Sequence, residues 1–254
     1  MMVLYKDLFW QLTLREIKAR YKQSILGYAW AILVPLINLL VLSVVFTYIF
    51  RVPTGSTPYA VFLFVALIPW MFLVSSLTSA TGSVMANSAL ITKVKIPREI
   101  LPLSAISSKL VDLILASVLL VAFLYFYQVP FHITTVFIPV IFLVQFFLIL
   151  GICLILSATN VFYRDVENIL GVFLTIWMYM SPVLYPSNLI PENFKLFFFL
   201  NPMTGIINAY RDAILYGRFT DTYGFIYSAT FSLFILLVGI IYFKNRSRFF
   251  ADVM

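Results

Sequence analysis

The fold is decided by the stretch ITTVFIPVIFLVQFFLILGICLILS, residues 133–157, which contains no charged side chain. A bilayer core about 30 Å thick takes roughly 20 apolar helical residues to cross, so this stretch predicts a membrane-spanning helix. Further apolar runs of the same character lie on both sides of it, and together they predict an all-α integral membrane protein. The six predicted spans are residues 29–50, 59–80, 106–127, 133–157, 169–185 and 225–243.

Composition agrees with a membrane protein and leaves little of the chain for a separate soluble domain. Of the 254 residues, 63% are hydrophobic and 11% are charged, whereas a typical globular domain has about 45–50% apolar and about 25% charged residues. So few charges cannot cover a surface that faces water. We therefore expect one transmembrane domain over residues 1–254, with a cytoplasmic segment at 1–28, the spans within 29–243 and a cytoplasmic tail at 244–254.

Lysine and arginine are distributed unequally between the two sides of the predicted spans. Most of the 17 basic residues fall in the N-terminal segment, the second and fourth connections and the tail, all on one side. The other side carries Arg51, Lys195, Arg211 and Arg218, and acidic neighbours match the bases of the fifth connection. Because basic loops stay in the cytoplasm, both termini are predicted to be cytoplasmic. The formal charge of +7 then indicates topology and lipid contact rather than nucleic-acid binding.

The segment before the first span is too polar to cross a membrane but is amphipathic. Between residues 7 and 22, Trp10, Leu14, Ile17 and Tyr21 recur at helical spacing, while the basic residues fall largely on other faces. This pattern predicts a helix that lies flat on the cytoplasmic membrane surface. The pattern fits two roles: the helix could simply anchor the first span, or it could bind a partner protein.

A short helix with defined ends is predicted between the second and third spans. Pro97 and Pro102 interrupt residues 81–105, because proline lacks a backbone donor and pushes the preceding residue out of the helical region. The basic residues of this connection fit cytoplasmic placement alone. An ordered, partly apolar feature on that side is also what a soluble partner would dock against.

The fifth connection, residues 186–224, is apolar although it lies outside the predicted spans. Phe194 and residues 196–200 follow each other almost without interruption. Since backbone at membrane depth must be helical or buried in protein, we expect short helices that dip into the outer leaflet. The residues that would begin or end them are Pro182, Pro186, Pro191 and Pro202.

Motifs for catalysis are missing from the sequence. It has no glycine-rich phosphate loop, no H-E-x-x-H metal motif and no G-x-S-x-G nucleophile elbow, and the single histidine, His132, lies in a predicted external turn. Charges within the spans are scarce, and Asp112 follows Lys109 by one turn, which favours a local ion pair on one helix. We therefore expect no enzyme activity, cofactor or metal in this chain, and a transporter of this kind must take its energy from another polypeptide.

Aromatic residues are abundant, with 26 Phe, 15 Tyr and 4 Trp. Many fit the interfacial belts of membrane proteins. Trp70, Trp177, Tyr179 and Tyr185 lie deeper or near the external end, and aromatic faces stack on the apolar faces of sugar rings. These four are candidate pore aromatics, with packing against lipid as the alternative for each.

Several motifs lie in a fixed order along the chain. They are LREIKARYKQSILGYAW at 14–30 followed by Pro35, KIPREILP at 95–102, YRDV at 163–166, SPVLY at 181–185, LNP at 200–202 and YRD at 210–212. In this order and at these distances they resemble the permease subunits of bacterial ABC exporters for O-antigen, capsular polysaccharide and teichoic acid. The resemblance covers essentially the whole chain.

The resemblance implies partners and roles that the residue pattern alone does not give. It implies a homodimer with a channel on its two-fold axis and two copies of a separate ATPase subunit that binds ATP and Mg. Residues 7–22 would be an interface helix, 89–101 would include the helix that couples to the ATPase, and the apolar segment after Pro186 would form gate helices. The implied interface residues are Trp10, Leu14, Arg15, Ile17, Lys18 and Arg20, and the implied coupling residues are Lys93, Lys95, Ile96, Pro97, Arg98, Glu99 and Ile100.

The function expected from these observations is export of a lipid-linked, O-antigen-like polysaccharide across the bacterial inner membrane. Which polymer is carried stays open, because the exporters of O-antigen, capsule and teichoic acid share these features. Arg15, Lys18, Arg20 and Arg98 are hypothesised to receive the anionic head of the lipid carrier. The alternatives are an ABC exporter of a small hydrophobic drug or lipid, and a membrane-embedded enzyme without an ATPase partner.

Overall fold

The computed structural model of the protein describes residues 5–21, 26–55, 57–94 and 96–253. Within these ranges it is helical and contains no β-strand, so the predicted all-α class is confirmed. Lys22 and the proposed coupling residue Lys95 lie outside the described residues. The α-helices are α1 (Lys6–Tyr21), α2 (Trp30–Val44), α3 (Tyr59–Ser83), α4 (Ser88–Lys93), α5 (Ile100–Phe126), α6 (Ile138–Phe162), α7 (Val166–Tyr179), α8 (Lys195–Phe199), α9 (Pro202–Arg211), α10 (Thr222–Ser247) and α11 (Phe250–Val253).

Five helices in the described part of the chain are long and apolar enough to cross a membrane. They are α2 with a π-helical turn that continues it, α3, α5, α6 with a 3-10 turn that precedes it, and α10. The fifth predicted span instead contains α7, which has 14 residues and ends at Tyr179. Pro182 accounts for the early end, because proline lacks a backbone donor and disfavours helical geometry in the residue before it.

The fifth apolar run nevertheless extends along the length of α3. Near its start, Asn160 Nδ2 donates hydrogen bonds to Thr81 O at 3.2 Å and to Glu167 Oε1 at 2.9 Å. Near its other end, the Tyr59 hydroxyl donates to Leu184 O at 2.7 Å. Because Tyr59 and Thr81 lie at opposite ends of α3, the run covers the same depth as a helix long enough to span a membrane.

α3 is the central helix of the bundle. It packs against α5, α6, α7 and α9, and its side chains Phe62, Phe64 and Leu73 are fully buried. α6 and α10 approach each other through glycine, since a Cβ on Gly151 would lie 2.6 Å from the carbonyl carbon of Ile235. Small residues at such a crossing let two helix backbones touch, which is how helices in membranes gain packing contacts.

The apolar fifth connection contains short helices, as its prolines predict. α9 begins at Pro202, and the side chain of Asn201 accepts a hydrogen bond from Met203 N at 3.0 Å. α9 is buried against α3, α6 and α10, whereas α8 leaves Leu196 and Phe197 exposed at 66% and 60%. The backbone of α9 is thus surrounded by protein, while α8 presents apolar side chains on the outside.

The first and the last described helices lie at one end of the bundle. α1 packs on α5, and α11 packs on α4 and α6. We call the end formed by α1, α4 and α11 the basal end, and the opposite end, which contains α8, the distal end. The basal end has its own apolar core, in which Leu12, Ile91, Ile100 and Phe250 are buried.

Candidate functional site at the basal end

α1 presents two different faces. It packs on the protein through Leu12, which is 5% exposed, whereas Trp10 of the predicted apolar stripe is 59% exposed. Leu14 and Ile17 of that stripe are partly buried, and Lys18 is exposed. α1 is therefore attached through one face, and of the stripe it leaves Trp10 available for a membrane surface or another chain.

Two arginines fasten α1 to the rest of the bundle. Arg15 Nη2 donates to Asn87 Oδ1 at 2.5 Å, just after the end of α3. Arg20 pairs with Asp112 and donates from Nη2 to Ser108 Oγ at 3.0 Å, both on α5. These partners are 72 to 92 residues away along the chain, so residue spacing could not reveal them.

The ion pair expected within one helix, between Lys109 and Asp112, is not formed. The Asp112 carboxylate pairs instead with Arg20, which reaches it from α1. An arginine on a neighbouring helix can contact both Asp112 and Ser108, whereas Lys109 could offer only a single ammonium group. The hypothesised basic cluster is also divided, because Arg20 of α1 contacts α5 while Arg98 lies beside α11.

The predicted coupling segment is not one continuous helix. α4 ends at Lys93, Val94 is extended with φ −134° and ψ 132°, and α5 begins at Ile100. Pro97 lies in the intervening turn, where its carbonyl accepts a hydrogen bond from Ile100 N at 3.2 Å. The segment therefore consists of a short helix, an extended residue and a tight turn.

Exposure differs along the proposed coupling segment, residues 89–101. Lys93 and Val94 are exposed, Val94 at 49%. Ile100 is 3% exposed and belongs to the same apolar cluster as Phe250, so it holds the turn in place from within. A docking partner would meet Lys93, Val94 and the turn rather than Ile100. The partly buried members of the turn are Ile96, Pro97, Arg98 and Glu99.

A cleft of about 710 Å³ lies beside this turn and extends to Tyr5 and Arg248. At its edge the guanidinium carbon of Arg98 lies 5.8 Å from the centroid of the Phe250 ring. Phe250 is fully buried, although the sequence places it in a short tail with no apolar periodicity. Its position shows that α11 is an integral part of the basal end.

Trp70 and Trp177, two of the candidate pore aromatics, meet inside the protein. Their rings are nearly perpendicular with centroids 5.9 Å apart, and Trp70 is 3% exposed. Trp177 Nε1 donates to Asn201 Oδ1 at 2.9 Å, and the Tyr185 hydroxyl donates to Tyr179 O at 2.5 Å. Tyr179 is 58% exposed, so it is the candidate that presents an open ring in a single chain.

A buried arginine organises the distal end, and sequence reasoning missed it. Arg211 is 3% exposed, and its Nη1 and Nη2 donate to the carbonyls of Pro182 and Val183 at 2.6 and 2.8 Å. Its guanidinium carbon lies 3.6 Å from the centroid of the Phe62 ring. The cation is thus held by carbonyls and an aromatic face.

Only some of the acidic residues in the fifth connection form ion pairs with its basic residues. Lys195 Nζ donates to Glu192 Oε1 at 2.6 Å, as the sequence suggests. The Asp212 carboxylate accepts hydrogen bonds from Thr220 instead of pairing with its neighbour Arg211. Proximity in sequence therefore predicts the exposed ion pair of Lys195 and Glu192 correctly. It predicts the wrong partner for the buried Arg211.

The basal end offers several surfaces for binding. Within the described ranges, no three His, Cys, Asp or Glu side chains are grouped so as to hold a metal ion. Exposed basic and apolar residues lie around α4, Trp10 and Lys18 are exposed on α1, and a cleft lies beside the α4–α5 turn. Such a combination suits docking of a second protein and contact with anionic head groups.

The chain is similar to known proteins over almost its whole length. It is 32% identical to O-antigen export system permease protein RfbA of Klebsiella pneumoniae, with 98% of this chain and 95% of that protein aligned. The RfbA protein of Myxococcus xanthus gives the same values. Polysialic acid transport protein KpsM of Escherichia coli is 28% identical, with 93% of this chain and 92% of that protein covered.

A family-level comparison gives the same assignment. The ABC-2 type transporter family matches residues 7–215, a range that runs from α1 through the π-helical turn after α9. The match thus includes the attached helix α1, the α4–α5 turn and the buried distal helices described above. The chain belongs to the ABC-2 type transporter family.

Proposed function

We propose that this chain is the transmembrane subunit of an ATP-driven exporter that moves a lipid-linked polysaccharide, O-antigen-like in type, across the bacterial inner membrane. The observation that carries the proposal is the end-to-end similarity to proteins named for export of O-antigen and transport of polysialic acid. Membership of the transporter family would by itself leave the substrate open. Both kinds of relative are named for polysaccharides, which favours that class over a small hydrophobic drug.

The basal end would face the cytoplasm, with both termini on that side. Basic residues are concentrated there, including Arg15, Lys18, Lys93 and Arg98, and positive charge is retained on the cytoplasmic side during membrane insertion. Five of the described helices are long enough to cross the membrane, and the fifth apolar run, residues 169–185, would supply one further crossing alongside α3. α8 would then meet the outer leaflet, and α8 with α9 would form the gate at the exit.

Energy would come from two copies of a separate subunit that binds ATP and Mg and hydrolyses the ATP. The support is that this sequence has no phosphate-binding loop of its own. The exposed residues Lys93 and Val94 and the turn at 96–99 form an ordered projection next to the cleft. We assign this projection as the docking point for the ATPase.

The exporter would be a homodimer. α7 leaves Ile169, Val172 and Ile176 exposed at 64%, 65% and 52% in a single chain. A second copy of the chain against this face would cover apolar surface and bring Tyr179 of each copy close to the shared axis. Exposed aromatic rings along that axis would let sugars slide, since their apolar ring faces can stack on aromatic side chains.

The proposal is tested by purifying the tagged protein from its native membranes in mild detergent and identifying the associated chains by mass spectrometry. We expect a soluble subunit with a phosphate-binding loop in equal amount, together with ATP hydrolysis. A chain that is stable and isolated without such a subunit would contradict the proposal. Stimulation of the ATPase by small hydrophobic compounds but not by lipid-linked glycan would support a drug or lipid exporter instead.

A further inference from the structure

A groove of about 780 Å³ runs between α5 and α6, with α3 as its floor. α3 packs along both of these helices, whereas α5 and α6 meet each other over only a short part of their length. The lining residues of α5 extend from Leu110 to Leu124, which is about 21 Å along a helix that rises about 1.5 Å per residue. Half of a hydrocarbon core about 30 Å thick is about 15 Å, so the groove is longer than one leaflet is deep.

The walls of the groove are apolar, and the few polar groups on them are already hydrogen-bonded. Ser117, Thr135 and Tyr210 carry the polar side chains among the described lining residues. Ser117 and Thr135 each donate to a backbone carbonyl of their own segment at 2.7 Å, and the Tyr210 hydroxyl donates to Gln145 Oε1 at 3.0 Å. A polar ligand would therefore find no free side-chain donor among these lining residues, whereas a hydrocarbon chain needs none.

The groove lies on the side of α3 that faces away from α7. Trp70 of α3 meets Trp177 of α7. At 3.6 residues per turn, the lining residues Val65 and Ile68 lie about 140–160° around α3 from Trp70. The exposed residues of the α5 wall are Ile114, Val118 and Val121. A second copy placed against α7, as in the proposed homodimer, would therefore leave the groove facing the lipid.

We propose that the groove binds one acyl chain of a membrane phospholipid, which lies along α5 with Ile68 and Tyr210 beneath it. Hydrocarbon is the material that surrounds a membrane-spanning segment, and an empty apolar space would deprive its walls of dispersion contacts. The acyl chain replaces the packing that α5 and α6 do not give each other. The inference goes beyond the proposed export function and takes from it only the position of the second copy.

The site is tested with a phospholipid that carries a photoactivatable diazirine in the middle of one acyl chain. The protein, purified with any subunit that accompanies it, is reconstituted in phosphatidylethanolamine vesicles that contain a trace of this lipid. After illumination, mass spectrometry of the peptides locates the labelled residues. We expect labelling of Ile68 and Tyr210, which are buried and line the groove. Leu237 and Ile241, exposed on α10, report contact with the surrounding bilayer in general.

A side chain that fills the groove should exclude the acyl chain. Ser117→Trp places an indole ring on the α5 wall, and we expect about tenfold less labelling of Ile68 and Tyr210, because closely packed space leaves no room for an acyl chain. Labelling of α10 in this variant should stay the same. The matched control is Val238→Trp, on α10 outside the groove, which should leave the labelling of Ile68 and Tyr210 unchanged.

Two results would overturn the inference. In the first, α10 is labelled while Ile68 and Tyr210 are not, as when a second copy of the protein covers the groove. In the second, both residues are labelled equally with and without Ser117→Trp. If Ser117→Trp does not run as a single species in size-exclusion chromatography, Val121→Trp on the exposed rim of the same wall replaces it, with the same loss expected and the same two results decisive. Because the readout is contact with lipid, it is independent of polysaccharide export.

Discussion

Arg211 joins α9 to the turn that ends the fifth apolar run, through two backbone carbonyls. Lysine at this position would keep the charge but lose the planar fork that reaches both carbonyls at once. We expect Arg211→Lys to lower the free energy of unfolding by roughly 1–3 kcal/mol. Because Cys153 is the single cysteine and is fully buried, a thiol-reactive dye labels it only when the protein unfolds, and in this variant we expect labelling at a lower temperature. Arg218→Lys, at an exposed position, is the control, and identical melting of the two variants would contradict the role of Arg211.

Val94 and Ile100 are both apolar residues of the proposed coupling segment, but their exposure predicts opposite consequences of mutation. Val94→Asp changes an exposed side chain, so we expect normal folding and about tenfold less ATPase subunit co-purified, as for an interface hot spot. Ile100→Asp buries an unpaired charge in the basal core, so we expect loss of Cys153 protection. Full recovery of the ATPase with Val94→Asp would refute the docking role.

Individual polar contacts were the least predictable feature at the residue scale. The spacing of Lys109 and Asp112 favours a pair within one helix, whereas the structure pairs Asp112 with Arg20 of α1. Residue spacing cannot anticipate such a pair, because it forms only after two distant segments have packed together. The burial of Arg211 went unpredicted for the same reason.

The crossing of α6 and α10 depends on a glycine, since a Cβ on Gly151 would lie 2.6 Å from the backbone of Ile235. We expect Gly151→Ala to force the helices apart and cost about 1–3 kcal/mol, as overpacking does in other cores. Gly171→Ala on α7 is the matched control, because nothing lies within 4 Å of the added Cβ there. Both are measured by dye labelling of Cys153 on heating, and equal melting temperatures would contradict the close crossing.

At the scale of elements, apolar runs predicted most of the helices because length and hydrophobicity alone determine whether a segment can cross a bilayer. The exceptions have local causes. α7 ends before Pro182, and the short helix α4 of the proposed coupling segment ends before the turn that contains Pro97. The amphipathic stripe of α1 was predicted, but its attached face was not, because that face is held partly by the polar contacts of Arg15 and Arg20.

The proposed orientation of the whole molecule can be tested by cysteine accessibility in intact cells. In a Cys153→Ser background, a cysteine at Lys93 would lie on the basal end and one at Tyr223, which is 84% exposed, on the distal end. We expect a membrane-impermeant thiol reagent to label Tyr223→Cys directly, but Lys93→Cys only after the inner membrane is opened. The reverse pattern, or labelling of both from outside, would refute the topology.

At the scale of the whole molecule, function was predictable from motif order rather than from any single site. The motifs are short and lie far apart in sequence, as at residues 95–102, 163–166 and 210–212. Their order along the chain agrees with the match to the ABC-2 type transporter family.

Deletion of the gene for this chain in its native host, followed by analysis of polysaccharide inside and outside the cell, tests the proposed export function most directly. We predict that surface polysaccharide disappears while its lipid-linked form accumulates inside, and that the intact chain restores export. Normal surface polysaccharide in the deletion strain would contradict export by this chain. Loss of the polymer without any lipid-linked intermediate would instead indicate a role in its synthesis and would equally contradict it.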